Sequence, residues 1–267
     1  MSKGVLYIST GERYYQEAIK SARSVRQHSN LKIGIITDQD ADPDHFDWQL
    51  NIPDPRNDSG DKIDWITKSP FDETLLLDTD TYACSDISGV FQLLNEYPIA
   101  APFAPARILE EPLRPVPEAF PELNTGVLLF KDTSATRSFF EAWRESYVEH
   151  RQAGITFDQP SFREALWMED VSHRVLPPEY NIRFGPFSMG YITGEAKILH
   201  GRQDEEVLTR FARELNDDIR PRQWKVRGDE ITVTTSQEDI MFRLKRSIRS
   251  EGLTGTFYKM LNKVSML

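Results

Sequence analysis

Thr74-Leu75-Leu76-Leu77-Asp78-Thr79-Asp80 is the stretch that decides the fold. A short unbroken apolar run has the pattern of a strand buried on both faces, as in the sheets of α/β proteins. Its two aspartates then stand at the carboxyl end of the strand, the edge where open α/β sheets collect ligands. Two carboxylates one residue apart offer hard oxygen donors suited to Mg²⁺ or Mn²⁺, above all where phosphate completes the coordination. Alone, the same pair is also how an ordinary strand ends in solvated acids, so its surroundings have to carry the reading.

Upstream, Val5-Leu6-Tyr7-Ile8 reads as a first strand. Residues 13–28 read as a helix, with Tyr15, Ile19, Ala22 and Val25 at helical spacing. Lys32-Ile33-Gly34-Ile35-Ile36-Thr37 is a second strand that runs into Asp38. This β-α-β opening is the start of a doubly wound nucleotide-binding half. Residues 38–60, rich in Asp, Pro and Asn, read mostly as loop.

Downstream, residues 90–97 read as a short helix and 99–103 as a strand. Residues 104–121 hold five prolines and form a long surface loop of the kind that often serves as a lid. Val127-Leu128-Leu129-Phe130 is another buried strand. Residues 134–150 form a helix with Phe139, Phe140, Trp143 and Tyr147 on or near one face. Residues 159–167 begin a further helix, with Pro160 tolerated near its start.

The 267 residues suffice for a full core, and 28% charged with 39% hydrophobic residues is ordinary for a soluble enzyme. No apolar run approaches the roughly 20 residues of a membrane span. Met1-Ser2-Lys3-Gly4 leads straight into a strand, so no signal peptide is expected. Cys84 is the sole cysteine, which excludes an intrachain disulfide and makes a cytoplasmic setting the simplest. The net charge of −10 argues against broad nucleic-acid binding.

We divide the chain into a catalytic domain over residues 1–240 and a tail over 241–267. The tail carries six basic residues against one acid, Glu251, with Phe242, Leu244, Ile248, Leu253, Phe257, Met260, Leu261 and Val264 among them. A basic amphipathic end on an acidic body is either a peripheral membrane contact or a terminal helix packed on its own domain.

Four features raise the weight of Asp78 and Asp80. Leu123-Asn124-Thr125-Gly126 enters a strand through a small polar turn, whose glycine allows close approach to a ligand and whose Asn124 can bond sugar hydroxyls. It can equally be a plain strand entry. Phe157-Asp158-Gln159-Pro160 sets an acid and an amide at a helix start, where Asp158 can cap the helix, face a pocket, or both. Ile198-Leu199-His200-Gly201-Arg202 ends a short strand in an imidazole, which suits Mn²⁺ better than Mg²⁺, and in a guanidinium able to grip phosphate. Here His200 is the third ligand that the two aspartates need. Leu176-Pro177-Pro178-Glu179-Tyr180-Asn181 is a proline-stiffened connection with no chemical signal of its own.

Taken in order, Leu-Asp-Thr-Asp, Asn-Thr-Gly-Val, Asp-Gln, Leu-Pro-x-x-Tyr-Asn and Ile-Leu-His-Gly resemble the GT-A-fold glycosyltransferases. The likeness is to the retaining family 8, the glycogenin and lipooligosaccharide galactosyltransferase group, and to related nucleotide-diphospho-sugar transferases. It spans residues 5–202. The resemblance implies a GT-A-type α/β fold, with a mixed, mostly parallel sheet flanked by helices. It implies Mn²⁺ or Mg²⁺ on Asp78, Asp80 and His200. A nucleoside-diphosphate sugar, UDP-linked, would be held by Thr10, Tyr14, Asp38, Lys62, Asp78, Thr79, Asp80, Thr125 and Arg202. Asp158, Gln159 and Asn124 would stand at the reacting carbon, and Tyr180 and Asn181 would line the pocket.

The chain departs from the family after His200, where the lysine, proline and tryptophan of the longer signature are absent. Gly201-Arg202 stands in for that phosphate grip, and Thr10-Gly11-Glu12 replaces a more acidic segment. The expected activity is therefore metal-dependent, hexosyltransferase-like glycosyl transfer, with retention, to a carbohydrate or lipid-linked acceptor. Two other readings compete. A haloacid-dehalogenase-like phosphatase would use Asp78 as nucleophile, although it would prefer threonine where Tyr82 stands. A non-catalytic nucleotide-sugar-binding protein would keep the ligands without turnover.

Overall fold

The computed structural model describes residues 1–104, 111–169, 171–185, 188–227 and 230–235, with Ile248, Arg249, Gly252 and Gly255. Almost the whole of the 241–267 tail, and residues 105–110 of the proline-rich loop, lie outside the described residues.

The chain opens β1 (Lys3–Ser9), α1 (Glu12–His28) and β2 (Lys32–Thr37), as the apolar spacing requires. It continues through β3 (Trp48–Asn51), α2 (Ser59–Trp65), β4 (Glu73–Leu77) and β5 (Thr81–Ala83). A 3-10 helix (Ser88–Asn95) precedes β6 (Ile99–Pro102) and β7 (Val127–Lys131). Then come α3 (Ser134–Gln152), α4 (Gln159–Met168), β8 (His173–Leu176), β9 (Ile182–Arg183), β10 (Met189–Ile192) and β11 (Ile198–His200). The described chain finishes with α5 (Glu205–Asn216), β12 (Arg222–Arg227) and β13 (Glu230–Thr235).

The central sheet has seven strands in the order β3-β2-β1-β4-β7-β6-β8. Only β7 runs against its neighbours, so the sheet is mixed and mostly parallel, as expected. Alternation along each strand feeds two cores. Val5, Tyr7, Leu75, Leu77 and Leu129 pack under α1 and the 3-10 helix, while Leu6, Leu76, Leu128 and Phe130 pack against α2, α3 and α4. Phe139, Phe140, Trp143 and Tyr147 are all buried in the second core, as their spacing demands.

Two small sheets, β5-β11-β9 and β10-β12-β13, build a third core with α5 around Phe184, Leu199, Phe211 and Trp224. Two sequence expectations are refined and a third is corrected. Residues 38–60 are not all loop, since β3 adds a parallel edge to β2 and α2 starts at Ser59. The short helix near Val90 is 3-10 rather than α. The segment of 104–121 that is described is no free lid, because Arg114 bonds Glu164 and buried Arg163 bonds the carbonyls of Pro117 and Phe120.

Candidate functional site

β4 delivers Asp78 to the carboxyl edge of the sheet, as its apolar run dictates. The reversed β7 begins at that same edge, and Asp78 N–H donates to the Gly126 carbonyl at 2.8 Å. β6 and β7 are in register at Ala100 and Leu129, but the next pairing joins Phe103 to Leu123. Two residues on the β6 side thus face five on the other. Asn124-Thr125-Gly126 belongs to this bulge, a device that re-aims side chains beside sites. The plain strand-entry reading is therefore incomplete.

A second register brings in His200. β5 follows Asp80 directly and pairs antiparallel with β11, setting His200 opposite Thr81. His200 Nε2 consequently lies 3.3 Å from Asp80 Oδ1 and 3.8 Å from Asp78 Oδ2. One donor atom from each of the three residues falls within 4.8 Å of the other two.

This set fits a divalent cation. His200 Nδ1 is 2.8 Å from Asn181 Oδ1, an atom that can only accept, so Nδ1 carries a proton. Nε2 then faces two carboxylates, an arrangement that needs either a second ring proton or a cation between them. Room for an ion is kept by Gly126, where a Cβ would overlap Asp78 Oδ2 and His200 Cε1. Burial works against ionised Asp80, yet His200, Arg202 and Arg183 outweigh it and hold the carboxyl well below its usual range. The Asp-x-Asp turn is itself braced by a buried hydroxyl chain. Tyr7 donates to Ser21, Ser21 to Thr81, and Thr81 Oγ1 to the Asp78 carbonyl, each at 2.8 Å.

Lys62, on α2, sits between Asp78 and Asp158. Its Nζ is 2.6 Å from Asp158 Oδ2, 3.3 Å from Asp78 Oδ1 and 3.3 Å from Thr125 Oγ1. Burial would lower the ammonium's pKa, but the charges of Asp158 and Asp78 prevail and raise it. Asp158 also accepts from Thr125 Oγ1 at 2.7 Å. Its burial, too, is outweighed by Lys62, so its carboxyl is depressed. Asp158 precedes α4 but makes no side-chain cap, so of the readings open in the sequence the inward-facing one holds. Asn124 Nδ2 donates to Gln159 Oε1 at 2.9 Å, and Gln159 Nε2 donates to Glu122 at 2.6 Å.

A cleft of about 360 Å³ opens over these groups. Thr10, Tyr14, Lys62, Asp78, Thr79, Asp80 and Arg202 line it. Asn124, Thr125, Asp158, Gln159 and His200 are buried behind its wall. Asp38 does not line the cleft and instead accepts from Gly11 N–H at 2.9 Å, holding the turn into α1. Tyr180 and Asn181 do not line it either.

Sequence reading missed Glu17, whose carboxylate accepts from Thr79 Oγ1 and Arg202 Nε, both at 3.0 Å. Its only sequence signal is helical spacing four residues from Arg13, which reads as a surface pair. It also missed Asp61, whose buried carboxylate takes Thr10 Oγ1 and the Arg56 and Asn57 amides, and the cleft residues Arg151 and Phe157. Asp61 and Arg151 lie just past the segments read as loop and helix, and Phe157 opens the stretch in which Asp158 and Gln159 carried the reading.

No protein-family model matches the sequence, and no curated protein matches it. Solved structures do. The fold is shared with GlyE of Streptococcus pneumoniae TIGR4, a glycosyltransferase, at a TM-score of 0.55. Identity over the match is 16%, and the match covers 76% of this chain and 56% of GlyE. This chain thus spans little more than half the length of that neighbour.

Proposed function

We propose that the protein is a metal-dependent glycosyltransferase of GT-A type, moving a sugar from a nucleoside-diphosphate donor, UDP-linked, to a carbohydrate or lipid-linked acceptor. The observation that carries this reading is the convergence of Asp78 and Asp80, which line a polar cleft with Lys62 and Arg202, on His200 buried behind them. The shared fold with a glycosyltransferase supports it. Asp78, Asp80 and His200 would hold Mn²⁺ or Mg²⁺, which when bound would supply Lewis-acid neutralisation of the departing diphosphate.

The chain's own groups supply the rest. Arg202, half exposed beside Asp80, offers its guanidinium to phosphate oxygens. Lys62 keeps its proton and places positive charge where the donor's negative charge meets the reacting carbon. Asp158, ionised and buried behind the cleft wall, acts with Thr125 to fix the Lys62 ammonium beside the carbon that gains oxocarbenium character. Asn124 and Gln159 hold the bulge and the start of α4 against each other, which keeps Thr125 and Asp158 in place. The bond from the anomeric carbon to phosphate oxygen breaks, a bond to the acceptor oxygen forms, and the acceptor's proton passes to the leaving phosphate. The configuration is retained. Tail residues 241–267, basic and amphipathic, bring the enzyme to an anionic membrane surface from the cytoplasmic side.

The deciding experiment is thermal unfolding with nucleoside diphosphates and sugar nucleotides, each with and without Mn²⁺. A Mn²⁺-dependent rise with UDP that Asp80→Ala abolishes is the expected result. A response only to a phosphate mimic with Mg²⁺ would move the assignment to a phosphatase with Asp78 as nucleophile. Nucleotide binding without transfer to any acceptor would leave a binding protein. An inverted product anomer would overturn the retention.

A further inference from the structure

Asn181 stands just after the proline-stiffened turn and is buried. Its Oδ1 takes the His200 Nδ1 proton at 2.8 Å, and no other side chain bonds that nitrogen among the described residues. The other half of the same amide is idle. Asn181 Nδ2 is buried with no hydrogen-bond partner. A buried, unpaired amide nitrogen carries its desolvation cost with no bond in return. What Asn181 offers in exchange is its other end, the acceptor for the buried His200 Nδ1 proton.

What the residue does achieve is electronic. An acceptor at Nδ1 fixes which ring nitrogen carries the proton, and so leaves the Nε2 lone pair directed at Asp78 and Asp80. The loop that carries Asn181 is itself tied to the same sheet. β9 starts at the next residue and runs parallel to β11, with Ile182 beside Leu199 and Arg183 beside His200. A strand register, rather than a flexible side chain, therefore sets the distance between amide and imidazole.

We infer that Asn181 is a positioning residue for the metal centre, holding His200 in the tautomer and orientation in which Nε2 ligates a divalent cation. The inference rests on the metal-site reading above. Partners of this kind typically change metal affinity by about 10–100-fold when removed.

The test is Mn²⁺ titration of the full chain by calorimetry, with no nucleotide present, alongside thermal unfolding in chelator. Asn181→Leu is expected to weaken Mn²⁺ binding by about tenfold or more. Its unfolding in chelator should stay cooperative, with a midpoint at or below that of the wild type because the His200 Nδ1 proton loses its acceptor. Asn181→Asp keeps an acceptor at the same atom and should restore the affinity. Wild-type affinity in a folded Asn181→Leu would overturn the inference and leave the metal site standing. Weakening by both variants alike would overturn it as well, since the acceptor would then not matter. Absence of Mn²⁺ binding in the wild type would overturn the metal reading and this inference with it.

Discussion

Lys62 shows how a single side chain ties the site together. It joins Asp158, from the start of α4, to Asp78, from the end of β4, with both Lys62 and Asp158 nearly buried at 13% and 11% side-chain exposure. Lys62→Met strands Asp158 as a buried charge and is expected to cost about 3–5 kcal/mol at neutral pH. The pH dependence has a definite sign. Asp158 is depressed in the folded wild type, so its contribution is present above the ordinary Asp value near 3.9 and is lost as pH falls through the folded value. In Lys62→Met the charge that chiefly offsets burial is gone and hydrogen bonds such as that from Thr125 remain, so that carboxyl should rise and the stability gap between the proteins should narrow as pH falls. Urea unfolding of both from pH 7 to pH 4 measures this. Gly126→Ala should abolish Mn²⁺ binding in a calorimetric titration, at an overpacking cost of about 1–3 kcal/mol. The candidate metal ligands were legible because Asp78 and Asp80 come just after one short apolar strand and His200 ends another. Asp158 was legible only as an alternative to a cap, since nothing local says which way a residue at a helix start will turn. Asn181 and Glu17 act through contacts 19 and 185 residues away along the chain, which no local pattern encodes.

At the scale of elements, strands and helices with strong periodicity were read within a residue or two. β3 was missed because four residues that alternate between half-buried and exposed, following a Pro- and Asp-rich stretch, give almost no signal. α5, β12 and β13 drew no reading, although Arg222–Arg227 alternates strictly between buried and exposed and was open to one. The bulge at Asn124-Thr125-Gly126 is invisible locally, because it is a mismatch between two strands rather than a property of either. The α3–α4 pair secures the wall behind the cleft. Trp143, fully buried, stacks edge-on against Phe162 with centroids 4.8 Å apart and donates to Ser161 Oγ at 3.1 Å. Trp143→Ala is expected to lose about 3–5 kcal/mol in chemical denaturation. Thr133→Ala removes the cap on the Thr136 amide of α3 together with the bond to the Thr136 hydroxyl, and should lose about 1 kcal/mol with nucleotide binding unchanged.

For the whole molecule, the site is the seam between the seven-stranded sheet and the small β5-β11-β9 sheet, since Asp78 follows a strand of the first and His200 ends a strand of the second. The fold class was legible from the β-α-β opening, but this seam was not, because it depends on pairing between strands over 110 residues apart. No helix among the described residues is long and apolar enough to cross a membrane. The proposed surface contact of residues 241–267 should appear as co-sedimentation of the full chain with anionic phospholipid vesicles, weakening with salt over a range set by Debye screening. Equal partitioning onto zwitterionic vesicles, or none onto either, would remove the tail from the proposal.

The Phe103–Leu123 bridge has a consequence for how such a protein changes over time. It closes the base of residues 104–122, so that the strands on either side keep their register whatever the length of chain between them. The length of that segment can change only where the carbonyls offered to Arg163, the Arg114 pair with Glu164 and the Glu122 acceptor of Gln159 are kept. A graft there must bring those buried partners with it, and not merely a matching stem.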